Sequence, residues 1–142
     1  MHLASNFTFV KGIGKDYKNE LLSFDTALYS AGIGNYNIVR VSSILPPKAV
    51  EKKSIEVLKG SVLYVAYATA TIYGAGRIAS AISVGIPKNP LEIGVIMEHS
   101  ASNDKKTVIE CSREMVRNAM EYRGIAIDDI LSVGVEVTQE EQ

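Results

Sequence analysis

The chain predicts an α+β fold, a layered α/β/β/α sandwich with mostly antiparallel sheets, built as a single domain over residues 1–142. Three observations carry this expectation. The 142 residues suffice for one core, since a chain of this size buries roughly two-thirds of the surface it exposes when unfolded. Its patterned segments run in the order β, α, β, β, β, β, α, β. Two helices cannot cover both faces of one large sheet made from strands this apolar, so either two sheets pack together with helices outside, or subunits bury each other's sheets.

Phe7 to Val10 reads as a short edge strand leading into the glycine-punctuated turn K-G-I-G-K. Ser23 to Ala31 is helical, because Leu21, Leu22, Phe24, Ala27, Leu28 and Ala31 recur at three- and four-residue spacing and Gly32 supplies a stop. Asn35 to Ile44, N-Y-N-I-V-R-V-S-S-I, is β-branched and aromatic; Pro46 and Pro47 end it because neither can donate to a ladder. The polar stretch from Lys48 to Gly60 is open between a surface loop and a short helix.

Three further strands are expected, Val62 to Thr71, Ile78 to Ile86 and Leu91 to Glu98, the second closed by P-K-N-P and the third ending on a charge. Lys105 to Tyr122 is the clearest helix. Val108, Cys111, Met115, Ala119 and Tyr122 form its expected apolar stripe, with Asn103 or Asp104 as cap and Gly124 as stop. A last strand runs from Ile130 to Val137.

Composition excludes several functions. Fifteen basic and 16 acidic residues are mixed along the chain for a net charge of -1, so no basic field rewards a phosphate backbone and no nucleic acid is expected. The lone Cys111 forms no internal disulfide, and His2 and His99 stand in no ligand spacing, which leaves no metal site expected. No apolar run approaches the ~18 residues of a membrane span, and the first ten residues lack a signal peptide's basic start. The expected address is the cytoplasm.

Ser42 and Ser43 interrupt an apolar strand just before two prolines. By residue type alone they are an ordinary strand-end pair whose hydroxyls satisfy neighbouring carbonyls. No nucleophile elbow, P-loop or dinucleotide fingerprint is present. The whole segment from Phe24 to Pro47, F-D-T-A-L-Y-S-A-G-I-G-N-Y-N-I-V-R-V-S-S-I-L-P-P, strongly resembles the self-processing region of the pyruvoyl-dependent arginine decarboxylases. A-I-S-V-G-I-P-K at 81–88, G-V-I-M-E at 94–98 and R-E-M at 113–115 support the likeness in order, so that it covers about Phe7 to Thr138.

The resemblance implies a self-cleaving proenzyme cut between Ser42 and Ser43 into a β chain of residues 1–42 and an α chain of residues 43–142. The chemistry is sound. The Ser43 hydroxyl attacks the adjacent Ser42 carbonyl at high effective concentration, and the amide becomes an ester. Loss of the Ser43 α-proton expels the Ser42 carboxylate and leaves dehydroalanine, whose hydrolysis releases ammonia and leaves a pyruvoyl group at position 43. That ketone, activated by its neighbouring amide, takes the electron-sink role usually given to pyridoxal phosphate.

The likeness also implies site residues. Glu98, otherwise an ordinary solvated carboxylate at a strand end, matches the glutamate that returns a proton to the α-carbon after decarboxylation. Asn37, otherwise a partner for local backbone, matches a pocket asparagine implicated in processing or substrate orientation. Asp25, otherwise a solvated helix residue, would receive the substrate's guanidinium through paired charge-assisted hydrogen bonds. Gly34 is a weaker substrate-side candidate, and more simply shapes a tight turn. Arg40 reads as an outward-facing strand residue, Tyr64, Tyr67 and Tyr73 as packing, and Cys111 as core.

The implied activity is conversion of arginine to agmatine and carbon dioxide, feeding polyamine synthesis, in a homotrimer with sites between subunits. A decarboxylase for another basic amino acid, or a non-catalytic relative that assembles without cutting, are the alternatives. Two departures from the family pattern bear on specificity and assembly: the chain ends at E-E-Q where many relatives continue, and it has G-A-G-R at 74–77 where relatives carry a glycine followed by an acid.

Overall fold

The computed structural model describes residues 3–140. The elements are β1 (Asn6–Phe7), α1 (Glu20–Ser30), β2 (Asn37–Arg40), β3 (Ile44–Leu45), β4 (Val50–Glu51), β5 (Val62–Val65), β6 (Gly76–Pro87), β7 (Gly94–Ala101), α2 (Lys105–Tyr122) and β8 (Ile127–Gln139). A four-stranded antiparallel sheet in the order β3-β7-β6-β8 forms the backbone of the fold. Two parallel two-stranded ribbons, β1-β4 and β2-β5, stand apart from it.

Alternation along β6 decides the two faces of the sheet. Ala79 and Ala81 meet Val108 of α2, while Val95 of β7 packs with Val116 and Met120. Val95, Val108, Val116 and Met120 lose all or nearly all exposure, and each such side chain contributes roughly 1.5–3 kcal/mol of burial. The hydroxyls of Ser83 and Ser112 meet at 2.6 Å in the middle of this layer, and Ser83 also meets Ser132 of β8 at 2.7 Å. Arg113 donates to Ser132 Oγ and to the Ile130 carbonyl, so the polar atoms buried under the helix are partnered.

This corrects the expected stripe of α2. The buried positions are Val108, Ser112, Val116 and Met120, each one helical turn from the last, whereas Cys111 is exposed and Tyr122 almost wholly so. A reading by apolarity passes over Ser112, because a hydroxyl looks like a surface residue until its partner on β6 is known. The opposite face carries Arg117, which pairs with Glu110 and Glu114 at 3.0 and 2.9 Å.

The start of α2 and the stops of both helices obey the expected chemistry. Asp104 caps α2, accepting from the Thr107 amide at 2.6 Å, and its carboxyl is held below the ordinary range by hydrogen bonding to Thr107. Asn19 caps α1, accepting from the Leu22 amide at 2.8 Å, which starts this helix a turn before the expected Ser23. Gly32 and Gly124 adopt φ of 85° and 69° just past the two helices, the left-handed conformation expected of helix stops.

The layered sandwich is realised in part. α2 covers one face of the antiparallel sheet, but the expected second sheet is reduced to the two ribbons. The strand expected over Asn35–Ile44 is broken: Val41 donates to Val65 at 3.0 Å while the Ser43 carbonyl accepts from Ile96 at 2.7 Å. The strand expected to reach Thr71 stops at Val65, and the segment beyond it is held by side chains instead, with Arg40 donating to the Tyr67 carbonyl and Ser100 to that of Thr69. The open stretch from Lys48 to Gly60 contains β4, which β1 recruits, and the first strand is Asn6–Phe7 rather than Phe7–Val10.

The second face of the sheet looks onto a cavity of about 1570 Å³, lined by Ile78, Ile82 and Val135 on one side and by Phe24, Ala27 and Leu28 of α1 on the other. α1 buries none of its residues fully. Glu20 at its start accepts from Tyr73 Oη at 2.9 Å and from Thr71 at 3.3 Å, and the Tyr73 contact raises that phenol above its ordinary value. No helix among the described residues is long and apolar enough to cross a membrane.

This packing predicts two outcomes. A Cβ on Gly85 would collide with Met120 Sδ and lie 2.6 Å from Val116 Cγ1, so Gly85→Val should cost about 1–3 kcal/mol by overpacking, read as a lower urea midpoint at unchanged slope. Because the Asp104 carboxyl is depressed in the folded state, its contribution is present above the unfolded carboxylate value and is lost as pH falls through the folded one. Asp104→Asn keeps a cap without a titrating group, so its thermal midpoint should fall less steeply in acid than that of the native chain.

Candidate active site

Ser42 lies at a fork. In antiparallel register Ile44 faces Val95 and Leu45 faces Gly94, which brings the Ser43 carbonyl to the Ile96 amide. One residue earlier the chain has left β7, and Val41 already bonds to Val65, extending the β2-β5 ribbon. Ser42, exposed, is therefore the one residue between two ladders, while Ser43 is half-buried. Val41 and Ile44, on either side of the pair, line the cavity under α1.

Glu98 lies two residues along β7 from Ile96, and two residues of strand span about 7 Å on the same face. Ser80, Ile82, Ile96 and Ser100 share that face, since Ile82 is registered with Glu98 and Ser80 with Ser100. The carboxylate is reached by Arg40, whose guanidinium bonds Glu98 Oε1 at 2.5 Å. The same guanidinium donates to the Tyr67 carbonyl at 3.3 Å and lies over the Tyr67 ring with its carbon 4.4 Å from the centroid. Phe24 of α1 also packs against that ring, at 6.0 Å between centroids.

The expected residues divide between this cluster and its surroundings. Ser42, Ser43 and Glu98 converge where β2, β3 and β7 meet. Asn37 opens β2 three residues before Arg40, on the other face by strand alternation, and its amide donates to the Gly60 carbonyl at 2.8 Å. Asp25 is exposed on α1 beside Phe24, with no hydrogen bond or ion pair among the described residues. Gly34 is needed for packing: a Cβ there would lie 2.7 Å from Tyr29 Cα, so the turn after α1 closes only on glycine.

Two members of the cluster were not expected in it. Arg40 reads as an outward strand residue, and it is indeed half-exposed, yet its head returns to Glu98. Tyr67 reads as sheet packing but lies beyond the end of β5 and serves as a platform. The available signal is a cation two residues before the serine pair, flanked by the apolar Val39 and Val41. No group of three or more histidine, cysteine or acidic side chains among the described residues is arranged to hold a metal ion.

Comparison with known proteins first defines a class. The model of a family described as pyruvoyl-dependent arginine decarboxylase matches residues 6–142, so the class is that of decarboxylases that use a pyruvoyl group. The pyruvoyl-dependent arginine decarboxylase of Methanococcus vannielii is 41% identical over 137 residues, covering 96% of this chain and 83% of that protein. Its counterpart in Methanocaldococcus jannaschii is 40% identical over 121 residues, covering 84% and 73%. That of Picrophilus torridus is 40% identical over 104 residues, covering 70% and 57%. The chain belongs to the pyruvoyl-dependent arginine decarboxylase family.

Proposed function

We propose that this chain cuts itself between Ser42 and Ser43 and then decarboxylates arginine to agmatine. The observation that carries the reading is the fork at Ser42. A peptide bond between two ladders is bound by neither, so its carbonyl is accessible to the Ser43 hydroxyl, and a break there detaches no paired strand. Residues 1–42 would remain tied to residues 43–142 through β1-β4, β2-β5 and the Glu20 contacts with Thr71 and Tyr73.

Position 43 suits a carbonyl group made from the chain itself. It is half-buried, its own carbonyl is anchored on β7, and Pro46 stiffens the backbone three residues on. The pyruvoyl group would supply an electrophilic ketone for the substrate amine and a sink for the electrons left by carbon dioxide. Glu98, about 7 Å along β7, holds and delivers the proton that replaces the carboxylate at the α-carbon. Asp25, exposed and without a partner among the described residues, takes the guanidinium end of the substrate. Asn37 orients substrate or aids processing, and Gly34 keeps the turn before it narrow. Relatives named as arginine decarboxylases support this substrate, and the assembly proposed with it is a homotrimer with sites between subunits.

Intact-mass measurement of the purified protein should show two fragments, the larger carrying a ketone and no free amino group, and Ser43→Ala should stay full length. A single uncut species in both would overturn the processing. In a panel of amino acids monitored by carbon dioxide release, arginine should be turned over best. Asp25→Asn should raise the KM for arginine by about tenfold or more, since a hydrogen bond to a charged group contributes ~1.5–3 kcal/mol, while leaving cleavage complete. An unchanged preference for arginine in that variant would remove Asp25 from substrate recognition.

A further inference from the structure

We infer that Arg40 is a positioning residue for Glu98, with Tyr67 as the platform that orients the guanidinium. The inference rests on the reading of Glu98 as the proton donor and adds the device that aims it. Three contacts converge on one planar head: Glu98 Oε1 at 2.5 Å, the Tyr67 carbonyl at 3.3 Å, and the Tyr67 ring at 4.4 Å. The two Tyr67 contacts fix the plane and direction of the guanidinium, and the remaining one transmits both to the carboxylate. Both hydrogen bonds leave one guanidinium nitrogen, and lysine, which has the charge, lacks the flat face that lies on the Tyr67 ring.

Nothing else seen in the site does this for Glu98. Among the described residues its side chain has no other hydrogen-bond partner; of its neighbours on that face, Ile82 and Ile96 offer no donor and Ser100 is spent on Ser80 and the Thr69 carbonyl. The pair is too exposed to matter greatly to folding, with side chains 53% and 34% accessible, since solvent screens such pairs strongly. Its location gives it another use. Arg40 precedes the cut and Glu98 lies beyond it, so the contact links the strand carrying the new terminus to the strand carrying the acid across both products.

Arg40→Ala and Arg40→Lys, compared with the native chain, test the assignment by cleavage from intact mass, thermal midpoint, and kcat and KM separately. A positioning role predicts complete cleavage, a midpoint within a few degrees of the native one, KM within about threefold, and kcat lowered about 10- to 100-fold in Arg40→Ala, the scale of a mispositioned group. Arg40→Lys should recover part of kcat, and Tyr67→Leu should lower kcat with little change in KM. Native kcat in Arg40→Ala, or a KM rise at constant kcat, would overturn the role. So would loss of cleavage or of folding in both Arg40 variants, which would assign Arg40 to processing or to structure. An uncut and inert native chain overturns the decarboxylase reading and the Arg40 role together, whereas an active native chain matched by Arg40→Ala overturns the latter alone.

Discussion

Helix α2 lies across one face of the antiparallel sheet, and the hydroxyls of Ser83, Ser112 and Ser132 close on one another between them. Apolar packing on either side of this cluster, Ala79 and Ala81 with Val108 at one end and Val95 with Val116 and Met120 at the other, supplies most of the cohesion. The hydroxyls add register. A slip of one residue along β6 would turn Ser83 away from the helix and set an unpartnered hydroxyl against apolar neighbours. The same slip along β7 would carry Glu98 under α2. Its present position on the other face, beside the end of β3, results from Val95 and Met97 being required in the core.

The rest of the molecule is held by lighter means. Two parallel ribbons, side chains donating to the carbonyls of Tyr67 and Thr69, and the Glu20 contacts secure residues that bury little. Such attachments are local and independent of one another, so the covalent link at 42–43 is one tie among several. Under the proposed cleavage, a firm sheet bearing Glu98 and a loosely tied segment bearing Ser42 would let one bond break while both sides stay in place. Arg40 belongs to the second part and reaches into the first.

Much of the candidate site was legible because the proposed cut needs adjacent residues. The serine pair, the prolines after it and the charge closing V-I-M-E are local patterns, and the long α2 helix with its Asp104 cap shows clearly in periodicity. The rest was hidden for identifiable reasons. Apolar spacing leaves Ser112 unmarked because its partner Ser83 is 29 residues away on β6. The strand over Asn35–Ile44 looked continuous because apolar alternation does not reveal that the chain changes partner from β5 to β7 within it. Arg40 looked outward-facing because its carboxylate lies 58 residues further along.

The sequence by itself determined where the candidate reactive residues sit along the chain, which segments are apolar, where α2 begins and where both helices end, since caps, glycine stops and side-chain spacing act within a few residues. Tertiary structure alone decided that Ser42 falls between two ladders, that Glu98 emerges on the face away from α2, and that Arg40 and Tyr67 stand beside it. Those outcomes depend on strand pairing between distant segments, whose choice rests on which faces can be buried together rather than on any local propensity.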